Sequence, residues 1–281
     1  MPLTNNKPFR RRNECTIDRR LLSFVPFEVG KPKKSDNLTT ATEWNGLYAN
    51  GVVVANAHSQ IDANDIKVLF GVYAVIQNAI EDGTAYRVEL PAGKNRILVF
   101  GITQKITTLC KSVTGHNNTD YFRSAVMKLS HYTVNFDVKK STSVCHFITY
   151  YVTDKDTKEM TIYINETCLD YLNIHGWILN LETLRRIRSK ITTKLYLYLL
   201  PQQANCEFLL KTLMGKLTIG GEEKEQKREI KLALDELINK QILLKSYNIT
   251  NGMVKLVRLR DSKTSVQIAN TTHQKSSLQE Q

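Results

Sequence analysis

The sequence predicts an α+β chain of two tandem winged-helix domains, each a three-helix unit closed by β-hairpin wings. Three observations predict it. The order helix, short helix, helix, β-ribbon can be traced twice along the chain. Asn-Gly pairs among β-forming residues mark tight hairpins, because that pair readily takes the positive φ angles such turns need. Finally, 281 residues suit two domains of about 100 to 130 residues each, and 42% hydrophobic residues suffice to fill two cores.

Residues 1–36 carry Lys7, Arg10, Arg11, Arg12, Arg19, Arg20, Lys31, Lys33 and Lys34, with one short apolar run at 21–27. They are expected to form a mobile basic arm, which either settles on phosphates or remains a solvated tail. The first domain, residues 37–170, opens with a hairpin signal at 47–54 centred on Asn50-Gly51. Asp62-Ala63-Asn64-Asp65 supplies an N-cap and an acidic first turn for a helix with apolar residues Ile66, Leu69, Phe70, Tyr73, Ile76 and Ile80. Spacings of three and four put that set on one face, and Glu81-Asp82-Gly83 ends the helix.

A second hairpin follows, 86–90 and 97–100, turning through Pro91 to Asn95. A short helix near 103–113 is closed by Gly115. Another runs from 119 to about 129, with Phe122, Ala125, Val126 and Leu129 inward. β-Rich segments at 132–138, 144–152 and 160–165 complete the unit.

The second domain, residues 171–261, repeats the order. Leu181, Leu184, Ile187, Ile191, Leu195 and Leu199 form the stripe of one helix that stops before Pro201. A short helix near 207–213 precedes a long one over about 222–240, whose core side is Ile230, Ala233, Leu234, Leu237 and Ile238. Strands at 243–249 and 253–259 join through Asn251-Gly252. Residues 262–281, rich in Ser, Thr and Gln, are expected to be a disordered tail.

The net charge of +12 and pI near 9.4 favour a polyanionic partner by Coulomb attraction and counterion release, although an inert basic surface has the same composition. In such a unit the third helix enters the major groove of duplex DNA. In the first domain that helix offers Thr119, Arg123, Ser124 and Lys128. In the second it offers Lys224, Lys227, Arg228 and Lys231 on one side, alongside Glu222, Glu223, Glu225 and Glu229. Arginine bonds guanine with two prongs, and lysine bonds guanine or phosphate; a solvated helix face has the same composition. For the wings, Lys139 and Lys140 lie between strands of the first unit. Lys255, Arg258 and Arg260 on the last strand are expected to share one side and contact phosphates. A further basic set, Arg185, Arg186, Arg188, Lys190 and Lys194, suits phosphates or solvent equally.

Enzyme chemistry finds little footing. There is no G-x-x-x-x-G-K-[ST], and Met214-Gly215-Lys216 lacks the upstream glycine of a P-loop. The six histidines form no metal-binding pair, and Tyr150-Tyr151 reads better as packing in an alternating strand than as a nucleophile. Five dispersed cysteines, Cys15, Cys110, Cys145, Cys168 and Cys206, argue against a disulfide framework and a zinc site. No secretory signal or membrane-spanning run is evident, so a cytoplasmic protein without cofactor or metal is expected.

Two stretches resemble the iteron-binding plasmid replication initiators, a tandem winged-helix superfamily, and in particular the RepC type of IncQ-like plasmids. Residues 57–71, AHSQIDANDIKVLFG, resemble that family's short strand, turn and "A-D-D-L-x-I-L-x-G-L" helix opening, with a hairpin inserted at 86–100. Residues 189–199, SKITTKLYLYL, resemble its "A-x-x-L-Y-x-x-L" helix. The likeness covers about residues 43 to 260, and the segment 222–241 is richer in Glu than a family recognition helix need be. The resemblance implies binding to directly repeated duplex sites at a plasmid origin, opening of an adjacent AT-rich region, and recruitment of a replicative helicase. The second domain is expected to read the groove more strongly, with the first adding contacts or mediating homodimerisation. A winged-helix transcription regulator with no part in replication would use the same surface and remains the alternative.

Overall fold

The computed structural model describes residues 12–18, 40–45, 50–55, 61–92, 95–138, 141–146, 148–165, 176–202, 205–217 and 219–259. It is an α+β chain with antiparallel sheets throughout. Lys139, Lys140, Arg260, the tail 262–281 and most of the expected N-terminal arm lie outside the described residues.

Among the described residues of the arm, Glu14–Asp18 form strand β1, where the basic composition predicts a mobile segment. Cys15 and Ile17 are both fully buried, so alternation sends every second side chain into the core. Strands β2 (Thr40–Asn45) and β3 (Asn50–Ala55) form the first hairpin. Its closing pair is Asn45↔Asn50, so Asn50-Gly51 belongs to a strand and the connection is 46–49, next to the other Asn-Gly pair.

Helix α1 (Ala63–Glu81) begins as its sequence indicates. The Asp62 carboxylate accepts from the N–H groups of Asn64 and Asp65, and the Asp65 carboxylate accepts from the Asp62 N–H, which closes a capping box. Strands β4 (Tyr86–Ala92) and β5 (Asn95–Lys105) follow, then α2 (Ile106–Thr114) and α3 (Thr119–Ser130). Gly115 ends α2 in the left-handed conformation at φ 79°. The inward set of α3 is the expected one: Phe122, Ala125, Val126 and Leu129 are wholly buried.

Strands β6 (Tyr132–Val138) and β7 (Ser141–His146) join the first hairpin in the order β2-β3-β6-β7. Strands β8 (Tyr150–Thr153) and β9 (Glu159–Asn165) join the second in the order β4-β5-β9-β8. The run expected as one strand over 144–152 is therefore split between two sheets. Met160, Ile162 and Ile164 alternate into the core, so period two holds along β9.

Strand β10 (Gly176–Asn180) pairs with β1 and leads into the second unit. The single helix expected over 181–199 is two: α4 (Leu181–Arg186) and α5 (Lys190–Leu199). Ile187 is extended at ψ 124°, and the Ser189 hydroxyl caps α5 by accepting from the Thr192 N–H. A mid-run serine offering an N-cap competes with continuous helix, and the apolar stripe survives because Ile187 is itself fully buried. Strand β11 (Asn205–Leu209) then replaces the start of the short helix expected at 207–213; helix α6 spans Leu210–Leu217. Pairing with the last strand overrides local propensity there. Helix α7 (Glu223–Asn239) precedes β12 (Leu244–Thr250) and β13 (Met253–Arg258), which turn through Asn251 (φ 52°) and Gly252 (φ 75°) as expected. The sheet order is β11-β13-β12.

A continuous core joins both units. Helix α1 packs on α2, α3, β1 and β5 on one side, and on α4 and α5 on the other. Nearly all of α5 is buried, Lys194 included at 5% exposure, as expected for a helix enclosed on every side. Gln77 of α1 bonds both main-chain groups of Thr16, each at 2.9 Å, which fixes β1 to the helix. Among the described residues no helix is long and apolar enough to cross a membrane.

Candidate nucleic-acid interface

Helix α7 buries Ile230, Ala233, Leu234 and Leu237, so its remaining sides face outward. Tyr247 of β12 steadies it by donating to the Asp235 carboxylate at 2.9 Å; burial and that bond push the phenol up to about 12. At 3.6 residues per turn, Lys224, Lys227, Arg228 and Lys231 share one flank of the exposed surface, and all four are exposed. Glu225, Glu229 and Glu236 lie on the other flank.

Some of these cations already hold carboxylates. Lys227 pairs with Glu223 at 2.5 Å, and the Arg228 guanidinium spans Glu225 and Glu229 at 2.5 and 2.7 Å. The bond with Lys227 brings the Glu223 carboxyl below the usual range, and the bond with Glu225 raises Arg228. Exposed pairs of this kind contribute little to stability and exchange readily for another anion. Lys211 on α6 is exposed and close enough to Glu223 to lower its pKa further; sequence reasoning did not single it out, because one lysine on a short helix gives no periodic signal.

The last strand departs from expectation. Lys255 is exposed and pairs across the sheet with Glu207 at 2.9 Å, in register. Arg258 lies on the opposite face, as three residues of separation in a strand require. Its Nη1 donates to Gln202 O at 2.6 Å and Leu200 O at 3.5 Å, beyond the end of α5. Lys255 and Arg258 therefore do not form one basic side; Arg258 secures the chain after α5.

In the first unit, Arg123 is exposed on α3, 3.8 Å from Asp120, with exposed Met127 one turn on. Lys128 turns inward and sits 3.2 Å from the fully buried Asp65. Four of the further basic set make contacts within the fold or are buried, while the Arg188 side chain is exposed. Arg185 and Arg186 bond main-chain carbonyls, Lys190 lies 3.3 Å from Asp62, and Lys194 is buried. The Asp62 carboxyl is raised by burial, but its bonds from Asp65 and Asn64 and the nearby Lys190 outweigh this and hold it below the ordinary range. Of the cations named from sequence, the structure gathers Lys224, Lys227, Arg228 and Lys231 on one surface. Arg123 and Lys255 stand exposed on other elements.

No family model matches this sequence, and no curated protein matches it. Among solved structures, the chain is similar to a selenomethionine crystal structure of domains 2 and 3 of RctB. The likeness has 11% identity and a TM-score of 0.55, over 85% of this chain and 98% of that one. A second crystal structure of RctB domains 2–3, spanning its residues 155–483, aligns over 81% of this chain and 94% of that one, with 9% identity and a TM-score of 0.48. At this identity the first likeness establishes a shared overall fold.

Proposed function

We propose that this chain is a non-enzymatic, sequence-specific DNA-binding protein acting as a replication initiator, with two tandem winged-helix units that bind directly repeated duplex sites. The observation that carries the reading is the exposed flank of Lys224, Lys227, Arg228 and Lys231 on α7, a helix whose other side is fixed in the common core. That flank offers one arginine fork for guanine and three ammonium groups for bases or phosphates.

The topology around α7 supports the winged-helix assignment. Helix α5, strand β11, helices α6 and α7, and the hairpin β12–β13 follow in order, and the strand before the second helix pairs with the last strand. In that arrangement α7 is the recognition helix and the hairpin through Asn251-Gly252 is the wing. The first unit has the corresponding series α1, β5, α2, α3, and α3 presents Arg123. In this reading Lys128 and Arg258 act by holding the scaffold, and Lys211 and Lys255 join the phosphate contacts. The initiator role rests on the sequence resemblance to iteron-binding initiators together with the fold shared with domains 2 and 3 of RctB. Origin opening and helicase recruitment would follow from that role.

The test is enrichment of duplexes from a random-sequence library by the full chain, followed by affinity measurements across salt. A specific duplex with log K falling against log salt with a slope of about −4 or steeper supports the reading. No enriched sequence, or a flat salt response, refutes it. Copies of the enriched sequence directly repeated beside the gene favour replication; one inverted copy at a promoter favours transcriptional regulation.

A further inference from the structure

Adjacent arginines on the six-residue helix α4 reach two different helices. Arg185 Nη2 donates to Val113 O at 2.5 Å and Ser112 O at 3.1 Å, in the last turn of α2 in the first unit. Arg186 Nη2 donates to Lys240 O at 2.9 Å, the C-cap of α7 in the second, and Lys240 Nζ returns a bond to Arg186 O at 2.6 Å. Last-turn carbonyls lack helical partners and carry the negative end of the helix dipole, so each guanidinium meets a strong acceptor.

The residues after these arginines are held as firmly. Lys67 of α1 donates to Ile187 O at 2.6 Å, the Arg188 N–H donates to Glu236 of α7 at 3.0 Å, and Lys190 pairs with Asp62. Segment 185–190 thus contacts α1, α2 and α7 together. The break between α4 and α5 makes this possible, since an uninterrupted helix would use the Ile187 carbonyl internally.

We propose that Arg185 and Arg186 are positioning residues that hold the α2–α3 pair and α7 at one fixed separation, so that the chain reads duplex DNA as a single rigid two-part reader. Binding then depends on the number of base pairs between two half-sites. This rests on the DNA-binding reading above and adds a spacing rule to it. Adjacent donors aimed at the C-terminal ends of two different helices are an economical way to fix a relative placement. Two flexibly joined readers would instead bind over a range of spacings.

The probe is the duplex that the full chain enriches from a random library, with its two halves mapped by hydroxyl-radical footprinting. Inserting five base pairs between the halves, about half a helical turn, moves one half to the other side of the DNA. For the wild-type chain the insertion should lower affinity roughly tenfold or more, as loss of one of two linked contacts does. The R185M/R186M variant should bind the uninserted duplex three- to tenfold more weakly by the same argument and lose most of the insertion penalty. Its affinity for a duplex carrying one half should not change. Arg185→Lys, which keeps a donor for the α2 carbonyls, should restore part of the spacing preference.

Wild-type protein indifferent to the insertion overturns the proposal. So does an R185M/R186M variant that melts like wild type and keeps the full penalty. Should that variant fail to fold, the wild-type insertion series decides. A chain that enriches no duplex refutes the DNA reading itself, a distinct outcome from binding without spacing preference.

Discussion

Lys128 Nζ lies 3.2 Å from Oδ2 of Asp65, a side chain with no solvent exposure. The same oxygen accepts the Asp62 N–H at 2.9 Å, so one buried carboxylate joins the start of α1 to the last turn of α3. Burial raises the Asp65 pKa, against the opposing pull of that N–H and the Lys128 ammonium. Replacing Lys128 with Met strands the carboxylate. We predict a loss of about 2 to 4 kcal/mol in urea unfolding, discounted because the lysine is partly exposed. DNA affinity of the folded variant should hold; an unchanged unfolding midpoint with weakened DNA binding would return Lys128 to the interface.

Asp62 is the complementary case. Its folded pKa lies below the unfolded value of about 3.9, so its stabilisation is fully present above that value and is lost as pH falls through the lower, folded pKa. Asp62→Ala should cost about 1 to 2 kcal/mol at neutral pH, the usual range for an N-cap, with a further small loss of the Lys190 pair. Stability curves of the two proteins should converge on acidification below about pH 4. A pH-independent gap would show that the carboxylate charge contributes nothing.

At Gly71, helix α1 lies tightly against Val113 of α2. A Cβ there would sit 2.6 Å from Val113 O and 2.7 Å from Val113 Cγ1, distances that real contacts do not reach. Because one clash is with backbone, a rotamer change cannot relieve it. Gly71→Ala is predicted to destabilise by about 1 to 3 kcal/mol despite its better helix propensity, measurable as a lower melting temperature. A rise in melting temperature would contradict the packing described.

Helix α7 ends in a Schellman motif built on a glutamine. The Gln241 N–H bonds Ile238 O, the Ile242 N–H bonds Leu237 O, and Gln241 adopts φ 53°. A side chain in that conformation costs about 1 kcal/mol relative to glycine. Gln241→Gly should therefore raise stability by about 0.5 to 1 kcal/mol in chemical denaturation. A loss would mean that the Gln241 side chain makes a contact worth more than the backbone strain.

The pattern of core and cap was legible in the sequence wherever it was local. The N-cap at residues 62–65, the inward face of α3, the Asn251-Gly252 turn and the core side of α7 follow from periodicity and turn chemistry over a few residues. What escaped was set at a distance. Glu14–Asp18 reads as part of a charged tail because its partner, Gly176–Asn180, is far along the chain. Asn205–Leu209 becomes a strand only through β13, and the 181–199 run divides at a serine whose capping role the unbroken stripe concealed. The site followed the same rule. The α7 cations were visible as a helical flank, whereas Lys128, Arg185, Arg186 and Arg258 count as surface charge until their buried or main-chain partners are known.

In the proposed function the cationic flank of α7 is the DNA-reading surface. The most direct test replaces Lys227, Arg228 and Lys231 together with Ala and measures binding of the enriched duplex across salt. Because these residues are exposed and their ion pairs contribute little, the melting temperature should stay close to wild type. Affinity should fall by roughly a hundredfold or more, and the salt dependence should become shallower by about two to three. A folded triple variant that binds the same duplex with wild-type affinity and salt slope would contradict the claim.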